Sequence, residues 1–143
     1  MIDGVIFTPL FIIDAKGGDV LHAMKSGDPG FFGFGESYFS TIKSDAIKGW
    51  KLHHEMVLNL VVPVGSIRFV IFDNREDLKT KGRFVDFVLS RNNYGRLTIP
   101  PKLWVGFQGI DVHDSLLLNI ASIPHDPDES ESRRLNEIDY DWN

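Results

Sequence analysis

Short apolar runs, broken by glycine, proline and Asn/Asp-rich turns, alternate along this chain with the two-residue period of β-strands. From Ile67 to Phe72, Ile67, Phe69 and Ile71 take one face and Arg68, Val70 and Phe72 the other. Both faces are largely apolar, as in a strand covered on two sides. The same pattern predicts strands at Val5 to Ile13, Glu36 to Ile42, Ile47 to Glu55, Met56 to Val62, Phe84 to Leu89, Gly95 to Ile99, Val105 to Gln108 and Leu116 to Ala121. The connections carry turn chemistry at Ser26 to Gly30, Pro63-Val64-Gly65, Arg91 to Gly95 and Pro100-Pro101. One short helix is expected between Asp126 and Glu137, with Asp126 as its cap and Pro127 in its first turn. No linker divides the chain and no long repeat is visible. The pattern therefore predicts a single all-β domain over residues 1–143, a barrel or jelly roll, ending in a short acidic tail solvated on the surface.

Composition narrows the chemistry. A chain of 143 residues closes a core without disulfides or a structural metal. With 15 Lys+Arg against 20 Asp+Glu, the net charge of -5 argues against a nucleic-acid surface, yet leaves room for a small anion in a local basic pocket. The absence of cysteine removes disulfides, thiolate zinc sites and thiol nucleophiles, and fits a reducing compartment. The first residues carry an early acid and no basic leader, and every apolar run is shorter than the roughly 20 residues a bilayer requires. A cytoplasmic protein with no membrane partner is expected.

Ionisable groups concentrate in Lys48-Gly49-Trp50-Lys51-Leu52-His53-His54-Glu55. Strand alternation places Lys51, His53 and Glu55 on one face and Trp50, Leu52 and His54 on the other. Turned into a barrel, that face makes an acid/base site; turned outward, it is ordinary solvated surface. His53, His54 and Glu55 are also metal-ligand types, but neighbouring residues on a strand point oppositely, so both histidines cannot reach one ion without a bulge. Among the aromatics from Phe31 to Phe39, Tyr38 brings a hydroxyl suited to a polar ligand. Arg75, in Asp73-Asn74-Arg75, either grips a phosphate or ties its own turn to a carboxylate.

In order and spacing, several segments together resemble one family. They are Gly4-Val5 to Pro9-Leu10, Phe34-Gly35-Glu36-Ser37-Tyr38-Phe39-Ser40, Ile47-Lys48-Gly49-Trp50, Val64-Gly65, Asp73-Asn74-Arg75, Asn93 to Pro101 with Gly106-Phe107, His125 to Glu129, and Tyr140-Asp141-Trp142. The chain is similar throughout to the dTDP-4-dehydrorhamnose 3,5-epimerase family, a branch of the cupins. The resemblance implies a cupin jelly-roll barrel, a homodimer and no cofactor. It also implies proton abstraction beside the ketone of a nucleotide-linked 4-keto-hexose, which needs a base, an acid and a cation near the developing oxyanion.

The departures from the family pattern are specific. Lys51 stands where the family has its basic histidine, which leaves His53 and Lys51 as the expected catalytic pair. The aspartate that supports the base falls beyond Asn143, so that support is missing or replaced. His125 occupies the place of the acidic tyrosine, and Asn119 that of an upstream tyrosine. Leu58 and Asn59 stand where a lysine is expected, and Val105 cannot serve as the second-motif ligand of metal-binding cupins. Lys48, Tyr38, Arg75, Asn59, Asn119 and Trp104 are expected on the substrate side, with Lys25 matching a basic position that reaches ligand across the dimer. An epimerase, a ketoisomerase needing one base and one cation, and a sugar-nucleotide-binding cupin without catalysis all remain open at this point, as does a metal cupin built on His53 and Glu55.

Overall fold

The computed structural model describes residues 1–143 as two antiparallel sheets folded face to face into a jelly roll. The strands are β1 (Ile6–Pro9), β2 (Ile12–Ile13), β3 (Val20–Leu21), β4 (Glu36–Ile42), β5 (Ile47–His53), β6 (Leu58–Val64), β7 (Ser66–Phe72), β8 (Phe84–Ser90), β9 (Gly95–Ile99), β10 (Trp104–Gly109), β11 (Ser115–Ala121) and β12 (Ser130–Ser132). One sheet runs β1-β9-β6-β11-β4 and the other β12-β5-β10-β7-β8, with β2-β3 as a separate ribbon. No helix is long and apolar enough to cross a membrane.

The period-2 pattern explains the core. Leu58, Leu60 and Val62 from β6, Ile67, Phe69 and Ile71 from β7, and Leu97 and Ile99 from β9 point between the sheets and are buried there. Gly65 makes the β6–β7 connection with φ of 85°, where a Cβ would collide with Ser115. The freed space lets the Ser115 hydroxyl accept from the backbone N–H of Ser66 at 3.0 Å.

Three expectations are corrected. The run from Val5 to Ile13 divides into β1 and β2, because the Leu10 N–H turns to the Tyr94 carbonyl instead of continuing the ladder. The strand expected to reach Glu55 ends at His53, as the N–H groups of His54, Glu55 and Met56 all bond to Glu129. Asp126 does cap a turn, accepting from the Asp128 N–H at 2.9 Å, but the span holds only two three-residue 3-10 turns, Pro127–Glu129 and Leu135–Glu137, in place of a helix. Between these turns, Ser130–Ser132 pairs as β12 with β5.

The acidic tail is not simply solvated surface. Leu135, Ile138, Tyr140 and Trp142 fold back over the outer face of the second sheet, against Trp50, Leu52, Val70 and Trp104. Ile138 and Trp50 are fully buried there, and the Trp50 indole donates to the Leu135 carbonyl at 3.3 Å. Arg68 ties down the end by donating to the Trp142 carbonyl and, at 2.6 Å, to Gln108. The tail thus supplies a third layer over this sheet.

Candidate active site

Between the sheets, at one end of the barrel, lies a cavity of about 130 Å³. One wall comes from Tyr38 and Ser40 on β4 and Leu117 and Asn119 on β11; the other comes from Lys51 and His53 on β5 and Val105 and Phe107 on β10. Leu58, Leu60 and Phe69 form its apolar floor. The polar groups are few and converge, as in a small-molecule site.

β5 brings its basic groups together through a bulge. Val105 pairs with Lys51, but Phe107 two residues on pairs with Lys48, three residues back. The extra residue in β5 resets the alternation, so Lys48 turns to the same face as Lys51 and His53. A Cβ on Gly49 would stand 2.9 Å from the Gly106 Cα, so the crossing at the bulge has room only for glycine. Lys48 sits at the rim, its ammonium 6.0 Å from the centre of the Phe107 ring and donating to the Thr41 carbonyl at 2.9 Å. Lys51 is also exposed, but it lines the cavity and joins none of the chain's ion pairs.

His53 is the central group. Its side chain is nine-tenths buried, and Nδ1 bonds the carboxylate of Glu129, itself 6% exposed. The other carboxylate oxygen of Glu129 accepts the N–H groups of Glu55 and Met56, each at 3.2 Å. Burial alone would raise the Glu129 carboxyl, but the His53 bond, the two backbone donors and the His53 charge outweigh it and hold the group below the ordinary glutamate value. Glu129 is therefore held as an anion against Nδ1, which fixes the ring plane of His53 and leaves Nε2 without a partner in the chain.

On the opposite wall, the Tyr38 hydroxyl accepts from Asn119 Nδ2 at 2.9 Å. Burial, then the nearby Glu36, raise the phenol above its usual value, and the Asn119 bond only partly offsets them. Tyr38 thus keeps its proton at neutral pH. His53 and Lys51 face the Tyr38 hydroxyl across the cavity.

Several expected site residues lie elsewhere. Arg75 is taken by Asp73, through Nε and Nη2 at 3.0 and 2.9 Å, and by the Asp3 carbonyl, so it ties its turn together. Asn59 points to the outer side of the first sheet, bonding the Gly30 carbonyl and Thr98. Trp104 lies under the tail, with the Arg133 guanidinium 4.4 Å from its ring centre. Odd and even positions of a strand face opposite ways, so Asn59 between Leu58 and Leu60, and Trp104 before Val105, turn away from the cavity. His125 is exposed, because the turn that sends Glu129 inward leaves it outside. Lys25 is exposed on the loop before β4, away from the cavity of its own chain. Glu55 is likewise outside it. No three His, Asp or Glu side chains converge anywhere in the molecule.

Glu129 is the residue the sequence did not reveal. It lies 76 positions from His53, inside an acidic stretch that looks like surface. Its local signals are the Asp126-Pro127 cap and the His125 to Glu129 segment of the resemblance, which mark the turn and not the inward carboxylate.

No protein-family model matches the sequence. The chain is 33% identical over 112 residues to the probable low-salt glycan biosynthesis epimerase Agl13 of Haloferax volcanii, covering 75% of this chain and 72% of that protein. Its structure superposes on a dTDP sugar isomerase from Desulfovibrio desulfuricans G20 with a TM-score of 0.94 and 38% identity, over 98% of this chain and 91% of the other. The dTDP-4-dehydrorhamnose 3,5-epimerase of Sulfolobus tokodaii shares the fold, with a TM-score of 0.82 at 24% identity over 96% and 81% of the two chains. The chain belongs to the family of dTDP-4-dehydrorhamnose 3,5-epimerase-like nucleotide-sugar epimerases and isomerases, with the cupin jelly roll that goes with it.

Proposed function

We infer that this protein is an epimerase or isomerase of dTDP-sugar metabolism, acting on a dTDP-4-keto-6-deoxyhexose in the synthesis of a surface or other glycan. The observation that carries the site reading is the buried His53–Glu129 pair opening onto a cavity that also holds Lys51. His53 Nε2 takes the proton from the carbon next to the ketone, and the electron pair of that C–H bond moves into an enolate. The Lys51 ammonium stabilises the oxyanion as charge develops. Reprotonation by water on the face of the enolate opposite His53 inverts the carbon and gives epimerisation. Return of the proton by His53 to the neighbouring carbon, with a proton shifted between the two oxygens, gives ketoisomerisation instead. Both outcomes start from the one imidazole in the cavity. Neither path calls for a cofactor. The purely binding alternative is disfavoured, because Glu129 supplies the carboxylate that the family pattern seemed to lack.

The test is solvent-deuterium incorporation into dTDP-4-keto-6-deoxyglucose by the wild type, Lys51→Ala and His53→Ala. Exchange at C3, C5 or both is expected, falling at least roughly 100-fold in His53→Ala. Saturable binding without exchange in the wild type would overturn the catalytic reading. A homodimer belongs to the same proposal. Edge strand β4 and the loop before it expose Phe32, Phe34 and Phe39, an apolar patch beside an unpaired strand edge. Light scattering at micromolar concentration should give twice the chain mass, and a monomeric mass would contradict this. A cytoplasmic location fits an enzyme that draws on nucleotide sugars.

A further inference from the structure

One polar atom in the cavity wall has no partner. Asn119 is 7% exposed, and its Nδ2 donates to the Tyr38 oxygen while its Oδ1 is buried and accepts nothing. Tyr38, having accepted from Asn119, has its own O–H free to donate. The pair therefore presents one acceptor and one donor side by side to whatever fills the cavity. A carbonyl oxygen can only accept and a methyl group can do neither, whereas a hydroxyl does both: it donates to Oδ1 and accepts from the phenol. In a hexose joined to its nucleotide through C1, with a ketone at C4 and a methyl at C6, free hydroxyls remain only at C2 and C3. The C3 hydroxyl lies in the reacting half, beside the ketone, where Lys51 and His53 act from the opposite wall.

We propose that Asn119 and Tyr38 form the specificity element of this site and read the C2 hydroxyl of the sugar, a group that takes no part in the proton transfer. This inference rests on the functional reading above. A buried amide oxygen stripped of water and left unpaired is costly, so a sugar lacking that hydroxyl is discriminated against more strongly than the loss of one contact suggests.

The experiment compares dTDP-4-keto-6-deoxyglucose with dTDP-4-keto-2,6-dideoxyglucose, measuring kcat/KM for solvent exchange and Kd by calorimetry. The wild type should prefer the 2-hydroxy sugar by about 10- to 100-fold. In Asn119→Leu, which removes the acceptor at similar volume, the ratio should fall to within roughly threefold, mainly by weakening the hydroxylated sugar. Tyr38 is half-exposed, so Tyr38→Phe tests the donor without disturbing the core and should also lower the ratio. Exchange of both sugars at equal kcat/KM by the wild type, or a preference unchanged in both variants, overturns this inference and leaves the enolisation chemistry standing. Failure of the wild type to bind or exchange either sugar overturns the functional reading and this inference with it.

Discussion

Glu129→Gln separates a catalytic carboxylate pair from a structural one. In the wild type the carboxylate accepts three bonds: one from His53 Nδ1 and two from the backbone N–H groups of Glu55 and Met56. A glutamine side chain has one acceptor and one donor end. If its oxygen keeps the histidine, its NH2 confronts two N–H donors; if its oxygen keeps the backbone, its NH2 faces Nδ1 and favours the tautomer with the proton on Nε2. The first arrangement loses two bonds to a charged acceptor inside the fold, at roughly 1.5 kcal/mol or more each, so a loss of about 3 kcal/mol is expected. For a domain of this size that lowers Tm by about 10 °C. The second arrangement removes the base, and exchange should fall by about 10² to 10⁴.

Because Glu129 does not line the cavity, the loss should lie in kcat, with KM changed little. The pH dependence of stability has a definite sign. The folded carboxyl lies below the ordinary glutamate value, so its contribution is present above that range and disappears as pH falls through the lowered value. The difference between wild type and variant should therefore shrink below roughly pH 4. The assays are deuterium exchange on dTDP-4-keto-6-deoxyglucose well below the variant's Tm, its pH–rate profile, and denaturant unfolding from pH 3 to 7. A folded Glu129→Gln protein with kcat within twofold of wild type and an unchanged pH profile would refute the assignment of His53 as an oriented base.

Lys51→Met keeps the stem and removes the cation, and is expected to lower kcat for exchange by about 10² to 10³ while sparing the fold; a twofold effect would remove Lys51 from the oxyanion site. Asp73 is wholly buried: its burial opposes ionisation, but the Arg75 and Thr80 bonds prevail and hold its carboxyl at about 2, against 3.8 unperturbed. That difference is worth about 2 kcal/mol at neutral pH, so Asp73→Asn should lose this much above about pH 4 and progressively less as pH falls toward 2, measured by urea unfolding. Ile138→Ala leaves a hole between the tail and Trp50 and should cost about 2 to 4 kcal/mol, with a weakened near-ultraviolet signal from the buried indoles; an unchanged stability would mean that the tail is not packed as a third layer.

Most of the barrel was legible because alternation is local. The inward placement of Ile67, Phe69 and Ile71 follows from a period of two, as does the shared face of Lys51 and His53. The same rule alone would turn Lys48 away from Lys51; the bulge between them, visible only once β10 is paired alongside, shifts the phase and puts Lys48 on the expected substrate side. It also extended β5 to Glu55, where the backbone donors are diverted to a carboxylate from the tail. Asn59, which stands where the family has a lysine, and Trp104 were expected at the site, although their neighbours Leu58, Leu60 and Val105 hold the inward positions.

The all-β pattern, the strand carrying Lys51 and His53, and the family whose segments recur in order are written in the chain itself, because they depend on neighbours a few residues apart. The bonds from Glu129 to His53, from Asn119 to Tyr38 with one oxygen left open, and from Arg75 to Asp73 arise only in the folded molecule. The first two pairings join residues 76 and 81 positions apart. The third is local, but it follows from the burial of Asp73, whose carboxylate needs a partner once it is out of water. Charges and amides at a barrel mouth take the partners that folding leaves within reach, and that reach is set by sheet pairing and by the tail lying across it.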